Sequence, residues 1–421
     1  MESRRRLVAH PAHAVLLVAK AATVLILVVG CVWAAGCGRS DSETTSTAAS
    51  ITLTTVSDTG SSTTSSVTTS SVTTASTTAS STTTDTTGGA QGTALYPAEN
   101  ADGAWGFINA AGAWVVQPQY KWVASLSEGL AAVLGDHYGF IAPDGAVAIP
   151  LEFLGVDSFS EGLAAAFLAG QTGNRWGYID QTGATVIEPR FSAAEPFSEG
   201  LAVVRGEAGL GYIDRSGAWV IQPRFDYASP FSEGLAAVWL DADQLESGSV
   251  ARTVALAVPP RPVGKWGYID RSGSFLIEPQ FDAGGDFSEG RAVVQVDAGW
   301  GFIDQTGAVV IEPRFKDARP FAGGLAAVWT GLEWGYIDQT GAFVVEPRFD
   351  GAGDFSEGLA PVAVPGEPGR STWGYIDKTG AWVIEPRFGW AHSFSSGLAL
   401  VFLDGALAYV DTTGEVIWRQ Q

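Results

Sequence analysis

Two sets of carboxylates recur along this chain in patterns that could support acid and base chemistry. Glu188, Glu278, Glu312, Glu346 and Glu385 each precede proline in Glu-Pro-Arg or Glu-Pro-Gln, and Glu128, Glu161, Glu199, Glu233, Glu289 and Glu357 each sit in Ser-Glu-Gly. Two such groups flanking one bond are what glycoside hydrolysis requires. That chemistry also needs a special environment to drive the two pKa values apart, whereas these glutamates return unit after unit in the same context. They read as turn and cross-strand partners. Beyond residue 37 the only histidines are His137 and His392, in different units, and both cysteines, Cys31 and Cys37, come before that point. No Cys-His pair and no zinc set is available there. Gly-x-Ser-x-Gly, His-Glu-x-x-His and phosphate-loop motifs are absent. The residues point to no metal, no cofactor and no catalytic residue, and an envelope hydrolase is the least favoured reading.

Aromatic side chains offer a second chemistry, stacking against a ligand. Trp105, Trp176, Trp266, Trp300, Trp334 and Trp373 each head a Trp-Gly pair, and a residue recurring in register reads as a core plug between units. Nine residues further on stand Trp114, Val147, Thr185, Trp219, Phe275, Val309, Phe343, Trp382 and Val416. A position that accepts threonine, valine or tryptophan reads as partly buried. Trp114, Trp219 and Trp382 are therefore the first candidate ligand contacts. Trp239 and Trp329, just after the third strand of their units, are the second set.

What positions these residues is a repeat. Starts of the type Trp-Gly-Tyr-Ile recur at residues 105, 138, 176, 210, 266, 300, 334, 373 and 407, with offsets of 33, 38, 34, 56, 34, 34, 39 and 34. A fixed period in this range is the signature of a repeat architecture. Within the unit from Trp266 to Gly299, Trp-Gly-Tyr-Ile-Asp alternates large residues and ends in the turn cluster Asp-Arg-Ser-Gly. Phe275 to Glu278 reads as the return strand, stopped by Pro279, and Arg291 to Val296 as a third short strand. Helical periodicity is nowhere sustained. The expected fold is all-β, a tandem array of about nine three-stranded antiparallel meanders in residues 94–421. An open, curved, solenoid-like array is favoured over a closed ring like a β-propeller, whose blades are usually four-stranded and four to eight in number. The chain phase, with a lone strand at Ala94 to Tyr96 and an end after the second strand of the ninth unit, would let the N-terminal strand complete the last unit.

The motif Trp-Gly-Tyr-Ile-Asp-x-[Ser/Thr]-Gly-x-x-[Val/Leu]-Ile-Glu-Pro-[Arg/Gln]-Phe, followed by Phe-Ser-Glu-Gly-Leu-Ala-Ala-Val, is similar to the bacterial WG-repeat family from roughly Trp105 to Glu415. Departures are Tyr138, Leu210 and Leu407 in place of tryptophan, Ala408 in place of glycine, and one residue fewer before Pro150. They suggest a weaker second unit and a capping last one. The resemblance implies a β-rich repeat scaffold on bacterial, often exported, proteins, with interaction roles and no common enzymatic activity. It supplies no ligand.

The flanking sequence bears on location. Arg4 to Arg6 precede a 16-residue apolar run, Ala21 to Gly36, which suits a secretory leader better than a membrane span. Ala34-Ala35-Gly36-Cys37 resembles the lipobox of bacterial lipoproteins, with Ala34 where leucine is usual, and makes Cys37 the expected lipidation site; Cys31 is the alternative. Residues 1–36 then form a signal peptide and residues 37–93 a disordered Ser/Thr tether. An uncleaved N-terminal transmembrane anchor is the other reading, and both place the array outside the cytoplasmic membrane, on the bacterial cell membrane or outer membrane. The net charge of −21 opposes nucleic-acid binding. Residues 240–265 insert 22 residues beyond the period and read as a surface loop; their Asp241, Asp243 and Glu246 lack the spacing of a calcium loop. The expected function is a membrane-anchored binding scaffold for a protein or cell-envelope glycan. A structural spacer, or a protein self-associating through strand edges, is the alternative.

Overall fold

The computed structural model describes residues 94–170, 173–241, 264–366 and 370–421. Cys37, the leader 1–36, the tether 37–93 and residues 242–263 of the insertion lie outside the described residues. The described residues from 94 onward form one compact unit, and every regular element described in it is a β-strand.

The blade of residues 227–281 shows the plan. Tyr227–Ala228, Ala236–Leu240, Lys265–Ile269 and Phe275–Phe281 pair in sequence order as one antiparallel sheet. The first strand has only two residues, too short to leave a pattern in sequence, so eight of the nine sheets described have four strands rather than the expected three. A blade also takes its second strand from the preceding sequence unit, so the blades are out of phase with the Trp-Gly words. Pro279 lies within the outer strand instead of stopping it. Trp266 pairs with Phe281 and Tyr268 with Ile277, so four steps of the outer strand oppose two of its neighbour and form a bulge. The bulged backbone passes over Gly267, where a Cβ would lie 2.7 Å from both the Ile277 oxygen and the Pro279 nitrogen. The glycine of Trp-Gly is there to admit that crossing.

Burial identifies the plug. Tyr178, Tyr212, Tyr268, Tyr336 and Tyr375, two residues after the Trp-Gly start, are wholly buried, while the six Trp-Gly tryptophans are only half-buried. The expectation that tryptophan is the plug between units is thus corrected to tyrosine. The pleat turns every second side chain to the same face, and the crossing outer strand covers only part of the indole. Each phenol bonds to the next blade: Tyr178 donates to the Glu195 carbonyl at 2.7 Å, Tyr212 to Ser229 at 2.8 Å and Tyr268 to Gly285 at 2.9 Å.

Nine such sheets form a closed ring, a nine-bladed propeller. The open array favoured from sequence is corrected accordingly. Among the described residues blade 1, residues 95–120, has three strands, and Leu95–Glu99 pairs inside its own blade with Trp105–Asn109. The N-terminal strand therefore does not complete the last unit; the ring closes through side chains. Tyr96, Ala98 and Ile108 of blade 1 share a core with Leu398, Tyr409 and Trp418 of blade 9. The Tyr96 hydroxyl donates to the Ser396 carbonyl at 2.5 Å, and Trp114 meets Trp418 edge-on at 5.9 Å.

Candidate functional site

Strand direction divides the ring into two faces. One carries the Ser-Glu-Gly and Asp-x-Ser/Thr-Gly turns, because strands two and four of each blade start there. In the second turn type, Asp270 accepts from the backbone N–H of Ser272 at 2.9 Å and of Ser274 at 3.1 Å, with Gly273 at φ +84°. The Ser272 hydroxyl and these N–H groups hold the Asp270 carboxyl below its usual pKa, and a threonine hydroxyl does the same for Asp180, Asp304, Asp338 and Asp377. In the first turn type, Glu233 and Gly234 take φ +54° and +83° between the bridged Ser232 and Leu235, the geometry of a two-residue hairpin turn.

The strained glutamates are ties between blades. Glu128 accepts from the Gly162 N–H at 2.9 Å and Glu233 from Gly290 at 2.9 Å, while the Ser127 and Ser232 hydroxyls donate to Phe159 and Phe287 at 2.7 Å. Further out, Arg224 donates to the Gly273 carbonyl at 2.5 Å and Arg314 to Gly341 at 2.8 Å. In a ring, equivalent points on neighbouring blades are closer near the axis. Turns bridged by a serine therefore lie inside those that need an arginine. The turn reading of these glutamates holds, but their partners sit in the next unit. The Glu-Pro glutamates instead stand exposed on the outer strands, so the two carboxylate sets are not brought together as a pair.

In blades 3, 4, 6, 7 and 8 the segment that leads from the start of the first strand toward the Ser-Glu-Gly turn position carries a charged side chain near the axis. Burial raises the carboxyl pKa of Asp157, and of Glu195 with help from Asp157. Asp286, raised in the same way, accepts from the Ser229 hydroxyl of the neighbouring blade. Solvent reaches Glu195 and Asp286 even though protein crowds them, as expected of groups lining a concavity. Arg319 stands 3.8 Å from Asp354. These residues differ from blade to blade, so the repeat motif gave no sign of them.

The opposite face carries the hairpins between strands two and three, and here most of the length variation is found. The connection is Val296 to Gly299 in blade 6, Pro365 to Ser371 in blade 8 and Leu240 to Lys265 in blade 5. Next to these hairpins each blade aligns one cross-strand row. In blade 5 it is Tyr227, Trp239, Trp266 and Phe281; in blade 7 it is Asp317, Trp329, Trp334 and Phe349. Tyr227 meets Trp266 at 4.9 Å and Trp329 meets Trp334 at 5.7 Å. Sequence reasoning missed Tyr227, and also Trp122 and Trp390, which head the rows of blades 2 and 9. Their two-residue strands gave no periodic signal.

The two sets of candidate tryptophans separate. Trp239 and Trp329 are half-buried in the rows by the variable hairpins, whereas Trp114, Trp219 and Trp382 start outer strands on blades 1, 4 and 8 and wedge between blades. Trp219 meets Phe191 at 5.7 Å and Trp382 meets Phe349 at 5.9 Å, both edge-on across a blade boundary. Trp219 still lines an open hollow of about 480 Å³ with Arg190 and Ser216 to Ala218. His137 lies on the blade 2 hairpin and His392 in blade 9, and among the described residues no His, Cys, Asp or Glu group is placed to hold a metal.

No curated protein matches the chain. Among solved structures it is similar to the tricorn protease, at 12% identity and TM-score 0.22, covering 77% of this chain and 39% of that one. It is also similar to the Pyrococcus horikoshii acylaminoacyl peptidase, at 11% identity and TM-score 0.33, covering 61% and 50%. The chain thus spans half or less of either protein's length. A profile described as the WG containing repeat matches residues 105–134, 138–170, 176–205, 211–240, 266–299, 300–328, 334–364 and 373–405, more than half of the sequence. On that match, and on the glycine crossing that recurs at Gly106, Gly139, Gly177, Gly211, Gly267, Gly301, Gly335 and Gly374, the chain belongs to the WG-repeat family.

Proposed function

We propose that the protein is an interaction scaffold whose ring presents the face of variable hairpins to a protein or a cell-envelope glycan. One observation carries this reading. Insertions and partly exposed aromatic rows converge on one face, while the other is tied turn to turn and varies little in length. Loops free to change length on a rigid frame are where repeat proteins place recognition. The reading includes no catalytic step. Lipidation at Cys37, or an N-terminal membrane anchor, would hold the ring outside the cytoplasmic membrane, and the resemblance of residues 34–37 to a lipobox supports the first. Self-association through strand edges is disfavoured, since Pro189, Pro223, Pro279, Pro313, Pro347 and Pro386 each interrupt an outer edge strand at its bulge.

The test is binding of the full-length protein to insoluble peptidoglycan and to a glycan panel, beside a folded variant carrying Trp239→Ala and Trp329→Ala. Saturable binding lost in the variant supports glycan recognition by the hairpin face. Binding unchanged in the variant removes that face from glycan recognition, and no binding by either form leaves a protein as the partner to seek.

A further inference from the structure

Blade 3 lacks the indole wedge that the following blade has. Thr185 stands where blade 4 has Trp219. The Trp219 indole lies against Phe191 of the preceding blade, and a Cβ on Gly206 would sit 3.3 Å from its Cζ2 and 3.1 Å from the Pro223 Cγ. The indole therefore fills a slot bounded by Phe191, Gly206 and Pro223. The matching slot of blade 3 is bounded by Phe153, Leu168 and Pro189, and Thr185 is too short to fill it. A cleft of about 410 Å³ opens there, between the outer strands of blades 2 and 3. In blade 2 the space is occupied instead, since the Leu151 Cδ2 would lie 2.9 Å from a Cβ on Gly135.

Two carboxylates, Glu152 and Glu188, line this cleft beside its apolar walls, and neither has a hydrogen bond or ion pair among the described residues. We propose that the cleft binds an aromatic side chain of a partner protein, presented next to a lysine or arginine. The aromatic part follows from the chain's own indole in the equivalent slot. The cationic neighbour follows from the two unpaired carboxylates and from a net charge of −21, which draws basic segments in. The cleft is large enough for a ligand, as pockets start at about 300 Å³, but it is open to solvent. A free small molecule would stay half exposed, whereas a side chain held by its own backbone needs no further cover. The inference is independent of whether the hairpin face binds a partner.

The experiment is saturation-transfer NMR of the full-length protein with acetyl-Lys-Trp-Lys-amide as probe. Saturable binding is expected. It should disappear in Thr185→Trp, which restores the wedge found in blades 1, 4 and 8, and weaken in Thr185→Leu, a smaller change should the first disturb folding. Glu152→Gln with Glu188→Gln should weaken it roughly three- to tenfold, as two exposed ion pairs allow. Equal binding by folded Thr185→Trp overturns the proposal. So does equal binding of acetyl-Lys-Ala-Lys-amide or acetyl-Glu-Trp-Glu-amide, and tighter binding of free tryptamine points to a small aromatic amine instead.

Discussion

The Tyr409 hydroxyl donates to the Pro97 carbonyl at 2.9 Å, joining residues 312 apart in sequence. The same bond elsewhere spans 17 residues, from one blade to the next, as in Tyr336 to Gly353 and Tyr375 to His392. Blade 9 thus treats blade 1 as its successor. Tyr409→Phe should cost about 1 kcal/mol, the usual net value of such a bond, and lower the melting temperature. Hydrogen exchange should then rise in Leu95–Glu99, the strand that receives the bond. Tyr268→Phe, at an interior boundary, should cost about as much without that local change. Unchanged exchange in Leu95–Glu99 would mean that the shared core of Tyr96, Ile108 and Trp418 closes the ring without this bond.

Among complete blades, the boundary between blades 7 and 8 is where the turn ties fail. Blade 7 carries Ala322-Gly323-Gly324 in place of Ser-Glu-Gly, so neither the hydroxyl nor the carboxylate is present. Ser288 and Ser356, on either side, make their bonds to Phe321 and Phe394 at 2.7 Å. The Arg319–Asp354 pair crosses the seam, but it is half-exposed and contributes below about 1 kcal/mol. Ala322→Ser should supply the missing bond to the Phe355 carbonyl and stabilise the ring by about 0.5–1 kcal/mol. Ser288→Ala should destabilise it by a similar amount. A denaturant midpoint that does not rise for Ala322→Ser would show that the seam is set too wide for a serine to span.

These ties also mark what could and could not be read from the sequence. The period, the all-β class and the Asp270 to Gly273 turn were legible, because each depends on contacts within one unit. A periodic sequence is silent on whether Glu233 meets a partner in its own unit or in the next, since both units look alike. Ring closure was hidden for the same reason, as the twist that accumulates over nine blades is carried by no single residue. Tyr268 and Trp266 were equally periodic. The bulge at Pro279 decides which of them is buried, and a bulge has no signature beyond the proline itself. Trp239 and Trp329 were visible as irregular aromatics, but only pairing showed that they share a face with the hairpins.

Asp157 and Glu195 face each other near the axis, and both carboxyls are raised, chiefly by burial. A carboxyl raised in the folded state holds its proton more tightly there than in the unfolded chain. Its stabilising effect is full below the unfolded value and is lost as pH rises through the folded value. Above the raised values both groups are ionised at a cost to stability. Asp157→Asn with Glu195→Gln should therefore raise the melting temperature at pH 7, and the gain should shrink between the raised values and the ordinary carboxyl range near pH 4. The turn aspartates act oppositely, since Asp180 and Asp338 are lowered and their contribution fades as pH falls through those lowered values. Melting curves of the double variant at pH 7 and pH 4 check this, and an equal gain at both would remove charge as the cause.

The two tryptophan sets should respond differently to truncation. Trp219 touches Phe191 across a blade boundary, packs against the core of the preceding blade and lies over Gly206 and Pro223. Trp219→Ala therefore opens a gap at a blade boundary and should cost about 2 kcal/mol, less than the 3–5 kcal/mol of a fully buried aromatic because the indole is half exposed. Trp329 pairs with Trp334 inside its own blade, on the hairpin face. Trp329→Ala removes one cross-strand aromatic pair, worth about 0.2–1 kcal/mol, and leaves the blade boundaries intact. Denaturant titrations of the two variants should show the larger loss at Trp219. If Trp329→Ala proves the more destabilising, the row it belongs to is a packing element of blade 7, and the hairpin face loses one of the aromatics that mark it for recognition.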